Sequence, residues 1–212
     1  MTAQDVVAPL RISVLGSTGS VGRQTLEVIA HAPKHFRVVA LAARRPSQLL
    51  NDQIAQFEPD LVSVADVDAG SVLDHPRVET GELGLIAAAT HPDADIVVVA
   101  TAGHAAILPT IKAIEAGKQI ALANKETIVC AGEIIIPLAR RHGVAIRPVD
   151  SEHSAIWQSL GGRPSSEIAR LIVTASGGPF RAYSSEQLER VTAGEALAHP
   201  TWSMGGKITI DS

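Results

Sequence analysis

The chain has 212 residues, of which 46% are hydrophobic and 19% are charged, and its formal net charge is −4. This composition is typical of a globular protein and predicts one complete domain with part of a second. The charge gives no indication of a nucleic-acid-binding surface or of a patch for anionic membranes, and the apolar runs are too short to span a bilayer.

The compartment is predicted from two features of the sequence. The N-terminal residues lack the basic segment and apolar stretch of a secretory signal. The single cysteine, Cys130, cannot form an internal disulfide. Both features predict a cytoplasmic protein in a reducing environment. We interpret Cys130 as a small buried hydrophobic residue rather than a nucleophile.

Short β-rich segments alternate with segments of helical periodicity through the first 149 residues. Continuous apolar strands that alternate with helices predict an α/β fold, a Rossmann-like doubly wound parallel sheet with helices on both faces. In chain order the pattern predicts a strand at 11–15, a helix at 21–32, a strand at 37–43, a helix at 47–57, strands at 61–65 and 95–100, a helix at 104–117 that ends at Gly117, a strand at 118–123, a helix at 125–143 and a strand at 144–149.

The pattern changes after residue 160. A turn-rich linker at 161–166 precedes a predicted strand at 167–180, which runs into a glycine turn. A short helix with a loop behind it is predicted at 184–200. The sequence therefore predicts a first domain at 1–150 and the beginning of an α+β second domain at 151–212. Because the last residues are strand-like, we expect the chain to be a truncated form of a longer protein.

A glycine-rich loop follows the first predicted strand. Gly16, Gly19 and Gly22 have the spacing G-x-x-G-x-x-G, with a strand before them and a helix after them. Glycine lets the backbone turn sharply and lets a pyrophosphate approach the helix N-terminus, where free N–H groups favour anions. This context predicts a dinucleotide-binding loop. The alternative is a tight strand–helix turn with no ligand.

The end of the second strand indicates which dinucleotide is bound. An NAD enzyme often places Asp or Glu there to hold the ribose hydroxyls. This sequence instead has Arg44 and Arg45, whose positive charges favour the extra phosphate of NADP(H). The alternative is a pair of solvated arginines on a loop.

Polar residues follow two later strands. Asn124, Lys125 and Glu126 follow one strand, and Asp150 and Glu152 follow the next. Because ligands bind beyond the carboxyl ends of parallel strands, both clusters are predicted to face one crevice. The alternatives are a solvated helix start at Lys125–Glu126 and an acidic helix start at 150–152.

These motifs closely resemble the 1-deoxy-D-xylulose 5-phosphate reductoisomerase family. The resemblance covers nearly the whole chain in the family's order, and the combination of "LANKE", "VDSEH" and "SGGPF" is highly specific. The matching segments are "GSTGSVG", "HFRVVAL", "ALANKET", "PVDSEHSAIWQSL", "ASGGPF" and "HPTWSMGGKITIDS".

The resemblance implies an NADP-dependent oxidoreductase of the non-mevalonate isoprenoid pathway. The family converts 1-deoxy-D-xylulose 5-phosphate, a small sugar phosphate, to 2-C-methyl-D-erythritol 4-phosphate. It requires NADPH and a divalent cation, Mg²⁺ or Mn²⁺. A skeletal rearrangement, favoured as retro-aldol then aldol, precedes the hydride transfer. The resemblance also implies an NADPH-binding domain at 1–150, the start of a catalytic domain at 151–212, and a homodimer in the complete protein.

The cofactor residues are carried over by position. The family usually has Gly-Lys-Asn where this chain has Arg44, Arg45 and Pro46, so positive charge is kept at Arg45 and the Asn side chain is lost. The positions implied to bind NADPH are Thr18, Gly19, Ser20, Val21, Arg44, Arg45, Pro46, Asn124, Glu126 and Gly205.

The substrate and metal residues are implied in the same way. Asp150 and Glu152 match metal ligands, and hard cations prefer such carboxylate oxygens. Trp202 matches the aromatic residue of a substrate flap near 196–206, and Ser176 and Ser212 belong to the phosphate site. His153 is expected to support the loop rather than bind the metal. The catalytic residues implied are Lys125, Asp150 and Glu152, and the substrate-binding residues are Lys125, Ser151, Glu152, Ser176, His199, Trp202 and Ser212.

The family's third carboxylate ligand and the rest of its phosphate site fall beyond the last residue given. We therefore expect these 212 residues to bind NADPH and to turn over substrate weakly or not at all. One alternative is an NADP-dependent semialdehyde dehydrogenase, which would need a reactive cysteine. Another is a non-catalytic dinucleotide-sensing module, which would not need the acidic pair.

Overall fold

A computed structural model describes residues 8–68, 73–173 and 177–198. Its centre is a seven-stranded sheet in the order β4-β3-β2-β1-β5-β6-β7, and every neighbouring pair is parallel. The predicted α/β fold with a doubly wound parallel sheet is confirmed. The strands are β1 Leu10–Leu15, β2 Phe36–Ala43, β3 Leu61–Val64, β4 Val78–Thr80, β5 Ile96–Val99, β6 Gln119–Leu122 and β7 Ile146–Pro148.

The strand order places a switch point between β1 and β5. The chain builds outward from β1 through β2, β3 and β4, then returns to the other side of β1 with β5, β6 and β7. Connections that leave in opposite directions open a crevice beyond the carboxyl ends of the two central strands. The glycine-rich loop follows β1 directly and therefore lies at this crevice.

Helices cover both faces of the sheet. One apolar cluster joins α1 and α2 to the sheet through Leu26, Ile29 and Leu50, and the other includes Ile114 of α4 and Ile135 of α5. No helix within the described ranges is long and apolar enough to cross a membrane. The helices are α1 Ser20–His31, α2 Gln48–Phe57, α3 Gly81–Ala89, α4 Ile107–Glu115, α5 Lys125–His142, α6 Ser151–Leu160, α7 Ser185–Leu188 and α8 Ala193–Ala196.

A bulge interrupts the pairing of β1 with β2. Ile12 pairs with Val38, whereas the next residue, Ser13, pairs with Ala40. Val39 is therefore an extra residue in β2, and both Val38 and Val39 are buried. An extra residue of this kind reverses the alternation of side chains beyond it. The pairing then continues in register to the end of β1.

Helix α5 corrects the prediction for Cys130, which is exposed rather than buried. The buried residues of this helix recur every three or four positions, and Cys130 lies one position before a buried residue, Ala131, on a solvent-facing part of the helix. Its neighbour Val129 is 82% exposed. An apolar run in the sequence does not by itself mark the buried face. The buried residues of α5 are Thr127, Ala131, Ile135, Leu138 and Ala139.

Several boundaries differ from prediction. The predicted helix at 104–117 begins as a 3₁₀ turn, His104–Ala106, and continues as α4. Gly117 ends it as predicted, with φ of +74° and its N–H donating to Ile114 O at 2.9 Å. Strand β4 and helix α3 were not predicted.

The chain divides into two compact units, 1–158 and 159–212. In the second unit, the strand predicted at 167–180 is not formed over the described residues 168–173, where no neighbouring strand pairs with the segment. Ile172 there is 77% exposed. The short helix predicted at 184–200 is instead two single turns, α7 and α8, each begun by a capping box at Ser184 or Thr192.

Candidate active site

The glycine-rich loop packs closely against the end of β5. Gly16 has φ of +88°, and a side chain there would place its Cβ 2.6 Å from Ala100 O. At Gly22 the corresponding Cβ would lie 2.7 Å from Ser17 Cα. Only glycine fits at either position, because the obstruction is backbone. The spacing of these glycines therefore serves a tight strand–loop–helix junction at the switch point.

The N-terminus of α1 is suited to an anion. Its N-cap is Gly19, no side chain caps it, and no acidic residue lies in its first turn. Unsatisfied N–H groups and the helix dipole attract a phosphate at such an end. Ser17 Oγ, in the loop itself, is buried and has no hydrogen-bond partner among the described residues. These observations fit a dinucleotide pyrophosphate beside Thr18, Gly19, Ser20 and Val21.

The arginine pair lies where the sequence predicted it. Arg44 and Arg45 follow the last residue of β2 and are exposed. Pro46 and Ser47 come next, and Ser47 Oγ caps α2 by accepting from Leu50 N at 3.1 Å. The segment is thus fixed at both ends, with two positive charges facing solvent between them. This arrangement fits an exposed phosphate such as the 2′-phosphate of NADP(H).

Asn124 joins two strand ends. Its side chain is buried, and its amide donates to the backbone oxygens of Thr101 and of Gly103, the latter at 2.9 Å. Its Oδ1 caps α5 by accepting from Thr127 N at 2.7 Å and Thr127 Oγ1 at 2.8 Å. Both ends of the amide are therefore used inside the protein. Asn124 fixes the loop after β5 to the start of the helix after β6.

The next residue, Lys125, meets the acidic cluster after β7. Lys125 Nζ lies 3.3 Å from Asp150 Oδ2. Strands β6 and β7 are paired neighbours, so their carboxyl ends are adjacent, as the strand-end argument predicts. Glu126 lies in the first turn of α5.

Asp150 is the least exposed carboxylate of this cluster, at 16%. Burial acts to raise its pKa, but hydrogen bonding to His153 and Lys125, together with the Lys125 charge, holds the pKa of Asp150 below its usual value. His153 Nδ1 lies 3.1 Å from Asp150 Oδ1. Asp150 is therefore a charged carboxylate at neutral pH.

The cluster can hold a cation. Ligand atoms of Asp150, Glu152 and His153 all lie within 4.8 Å of one another. Asp150 directly precedes α6 and Glu152 lies in its first turn. The acidic helix start that the sequence offered as an alternative is therefore also present. The two interpretations are compatible. Two negative charges beside one lysine leave a net negative site, which suits a hard divalent cation bound through carboxylate oxygens.

The remaining predicted site residues lie partly within and partly outside the described ranges. Ser151 is exposed at the start of α6. The predicted flap at 196–206 is described only as far as residue 198. Five predicted residues lie outside the described ranges: Ser176, His199, Trp202, Gly205 and Ser212.

Sequence reasoning missed three side chains around the crevice. Gln53 of α2 donates to Ser17 O, and Thr127 shares the Asn124 cap. Thr101 follows β5, and its Oγ1 is buried with no hydrogen-bond partner in the described part of the chain. The strand-end rule could have identified Thr101, since β5 was predicted. Gln53 and Thr127 have no local signal, because their importance lies in contacts made only in the fold.

Known protein families match this chain along nearly its whole length. The family model of 1-deoxy-D-xylulose 5-phosphate reductoisomerase matches residues 12–132, and that of the family's C-terminal domain matches residues 146–212. The chain belongs to the 1-deoxy-D-xylulose 5-phosphate reductoisomerase family. The resemblance stated from the motifs is thereby confirmed, and the semialdehyde dehydrogenase alternative is not supported.

Curated reductoisomerases include close relatives. The enzyme of Thermomicrobium roseum is 57% identical over 205 residues, which are 96% of this chain and 53% of that protein. The chloroplastic reductoisomerase of Mentha piperita is 51% identical over 212 residues, covering 96% of this chain and 45% of its own length. The chain therefore spans about half the length of the relatives it matches.

Solved reductoisomerase structures share the fold. The Zymomonas mobilis enzyme in complex with NADPH superposes with a TM-score of 0.84 at 36% identity, covering 89% of this chain and 51% of that one. A reductoisomerase in complex with NADPH, fosmidomycin and magnesium gives a TM-score of 0.83 at 36% identity, covering 95% and 54%.

Proposed function

We propose that this chain forms the NADPH-binding and metal-binding part of a 1-deoxy-D-xylulose 5-phosphate reductoisomerase. In a protein of the relatives' full length, it would convert that sugar phosphate to 2-C-methyl-D-erythritol 4-phosphate. The observation that carries the proposal is the ion pair between Lys125 and Asp150. It brings the motifs after β6 and β7 together, in a chain that also has a glycine-rich loop suited to a dinucleotide.

Different residues of the chain would bind the cation and the substrate. Asp150 and Glu152 supply carboxylate oxygens for Mg²⁺ or Mn²⁺, and Lys125 supplies a positive charge for a substrate oxygen. When bound, the cation polarises the carbonyl and hydroxyl of the substrate, and NADPH supplies the hydride. By family position, Ser151, Ser176, His199, Trp202 and Ser212 contact the substrate.

The cofactor preference rests on charge. The α1 N-terminus and the backbone of Thr18–Val21 would hold the pyrophosphate. Arg44 and Arg45 would hold the 2′-phosphate in place of the family's usual Gly-Lys-Asn, with Pro46 beside them. Asn124 supports this side of the crevice through its contacts to the loop after β5, and Glu126 and Gly205 complete the family's cofactor positions.

The organisation of the complete protein is part of the proposal. Residues 1–150 form the NADPH-binding domain, and residues 151–212 begin the catalytic domain, including its flap. The complete protein is a cytoplasmic homodimer, a state that analytical ultracentrifugation would test. These 212 residues alone would bind NADPH but turn over little substrate.

Activity in the full-length protein tests the function. Oxidation of NADPH should require both 1-deoxy-D-xylulose 5-phosphate and Mn²⁺. Asp150→Asn should reduce the rate at least about a hundredfold, because it removes a charged ligand. The matched control is Asp74→Asn, an exposed aspartate, which should retain the parental rate.

The same experiment separates the alternatives. A dinucleotide-sensing module would bind NADPH with no dependence on Asp150 or on Mn²⁺. NADPH oxidation that is absent from the full-length protein, or indifferent to both, would refute the reductoisomerase assignment. Titration with NADPH and NADH, before and after Arg44→Gln and Arg45→Gln, tests the cofactor preference.

A further inference from the structure

Gln53 makes a long-range contact to the glycine-rich loop. It lies in α2, its side chain is only 5% exposed, and its Nε2 donates to Ser17 O at 3.0 Å. Glutamine is seldom this buried unless its amide is required. The contact joins the helix after β2 to the loop after β1, and Gln53 belongs to none of the residues assigned above to cofactor or substrate.

Together with hydrogen bonds from β2, this contact fixes the backbone of the glycine-rich loop from two sides. Gly16 N and Ser17 N both donate to Ala42 O of β2, at 2.8 and 2.9 Å. Gln53 then holds the carbonyl of Ser17 from α2. With its N–H and C=O both engaged, Ser17 has a fixed backbone orientation. That orientation sets the direction of the following peptide, at the start of the Thr18–Val21 segment.

Two further buried polar atoms lie on the residues of this contact. Gln53 Oε1 and Ser17 Oγ, on the two residues that form this hydrogen bond, have no partner within the described structure. A leucine or methionine at position 53 would leave the buried Ser17 carbonyl without this donor. The amide of Gln53 therefore acts on the backbone of the glycine-rich loop.

We infer that Gln53 is a positioning residue for the glycine-rich loop, an inference that rests on the proposed binding of NADPH. Its amide holds the Ser17 carbonyl so that the N–H groups after it face the phosphates. It acts through the loop and touches neither phosphate nor ribose. A loop positioned in advance binds its ligand without first losing conformational freedom.

Gln53→Glu in this chain tests the inference, because glutamate keeps the size of glutamine and removes the donor. A carboxylate facing the Ser17 carbonyl would repel it. The Kd for NADPH, measured by fluorescence titration, should rise at least about tenfold. Adenosine 2′-monophosphate, which lacks the pyrophosphate, should bind to the variant within about twofold of its parental affinity in a competition titration. The matched control is Gln56→Glu, an exposed glutamine on the same helix, which should bind NADPH like the parent.

Gln53→Met serves as the second variant if Gln53→Glu fails to fold, since it removes the donor without adding charge. Selective loss of NADPH affinity in either variant supports the inference. Unchanged NADPH affinity, or equal loss for both ligands, would overturn it and leave the proposed function standing. Failure of the unaltered chain to bind NADPH would refute both.

Discussion

Lys125 and Asp150 follow neighbouring strands and meet as an ion pair, with Nζ 3.3 Å from Oδ2. The ammonium group thus occupies part of the negative field that a divalent cation would use. In the proposed site, lysine and cation would compete for the same carboxylate unless the lysine turned toward the substrate. We therefore expect Lys125 to weaken binding of the proposed cation, in addition to its proposed contact with the substrate.

Lys125→Gln should strengthen Mn²⁺ binding to the chain about fivefold, because removing a positive charge lowers the repulsion felt by the cation. The same change should abolish turnover in the full-length protein. Mn²⁺ titration followed by electron paramagnetic resonance measures the affinity. Lys112→Gln is the matched control, since Lys112 pairs with Glu115 and is equally exposed, at 45%. Weaker Mn²⁺ binding in Lys125→Gln would contradict the proposed competition.

Gly22→Ala should lower the free energy of unfolding by about 2–3 kcal/mol, because the added methyl group meets the backbone of Gly16 and Ser17. NADPH binding should be lost with it. Gly132→Ala is the control: its Cβ would lie 3.4 Å from an Ile128 methyl group, an ordinary contact. That variant should be as stable as the parent or slightly more stable. Denaturant unfolding measures both, and equal stability of the two variants would refute the explanation.

Asn124→Asp should lower the free energy of unfolding by about 2–3 kcal/mol. Aspartate can still cap α5, but it cannot donate to the Thr101 and Gly103 oxygens and would place a charge against them. Asn51→Asp makes the same change at an exposed position of α2 and should alter stability by less than about 0.5 kcal/mol. A similar loss in both variants would show that the buried amide has no special role.

A pH-dependent contribution to stability is expected from Asp95. Arg11 donates to its carboxylate through Nε at 3.1 Å and a terminal nitrogen at 2.9 Å, and this hydrogen bonding holds the pKa of Asp95 below its usual value. A lowered carboxyl pKa stabilises the fold above the unfolded pKa, and that stability is lost as the pH falls through the folded pKa.

Asp95→Asn should therefore destabilise the chain by about 1 kcal/mol at pH 7, a modest value because the pair is partly exposed. The difference from the parent should shrink once the pH falls below about 3.9, the ordinary aspartate pKa. Urea unfolding at several pH values measures it. Asp93→Asn, which removes the more exposed partner of Arg11, should have a smaller effect. A difference that stays constant down to strong acid would rule out this explanation.

Local pattern predicted most of the sheet and the placement of both site motifs. It did not predict α3, because Gly81–Ala89 is apolar on nearly every side and shows no helical stripe. Strand β4 has only three residues, which is too short for a clear alternation. The strand expected at 167–180 had a suitable composition, but a strand also needs a neighbour, and composition carries no information about one.

The site shows the same division. The ends of β6 and β7 could be placed together because parallel strands align their carboxyl ends. The use of Asn124 as a clamp could not be predicted, since its partners, Thr101 and Gly103, lie on another strand end. Cys130 was misplaced because an apolar helix sequence contained exposed as well as buried positions.

The bulge at Val39 limits how this chain can be redesigned. Any exchange of the β2–α2 segment intended to change coenzyme preference must keep the extra residue. Without it, Arg44 and Arg45 would move one step along the strand direction and turn to the opposite side of the sheet. A chimera joined after Ala40, where the pairing with β1 has resumed, keeps the arginines in place. A chimera joined before Val38, the partner of Ile12, must import a β2 strand that carries the same insertion.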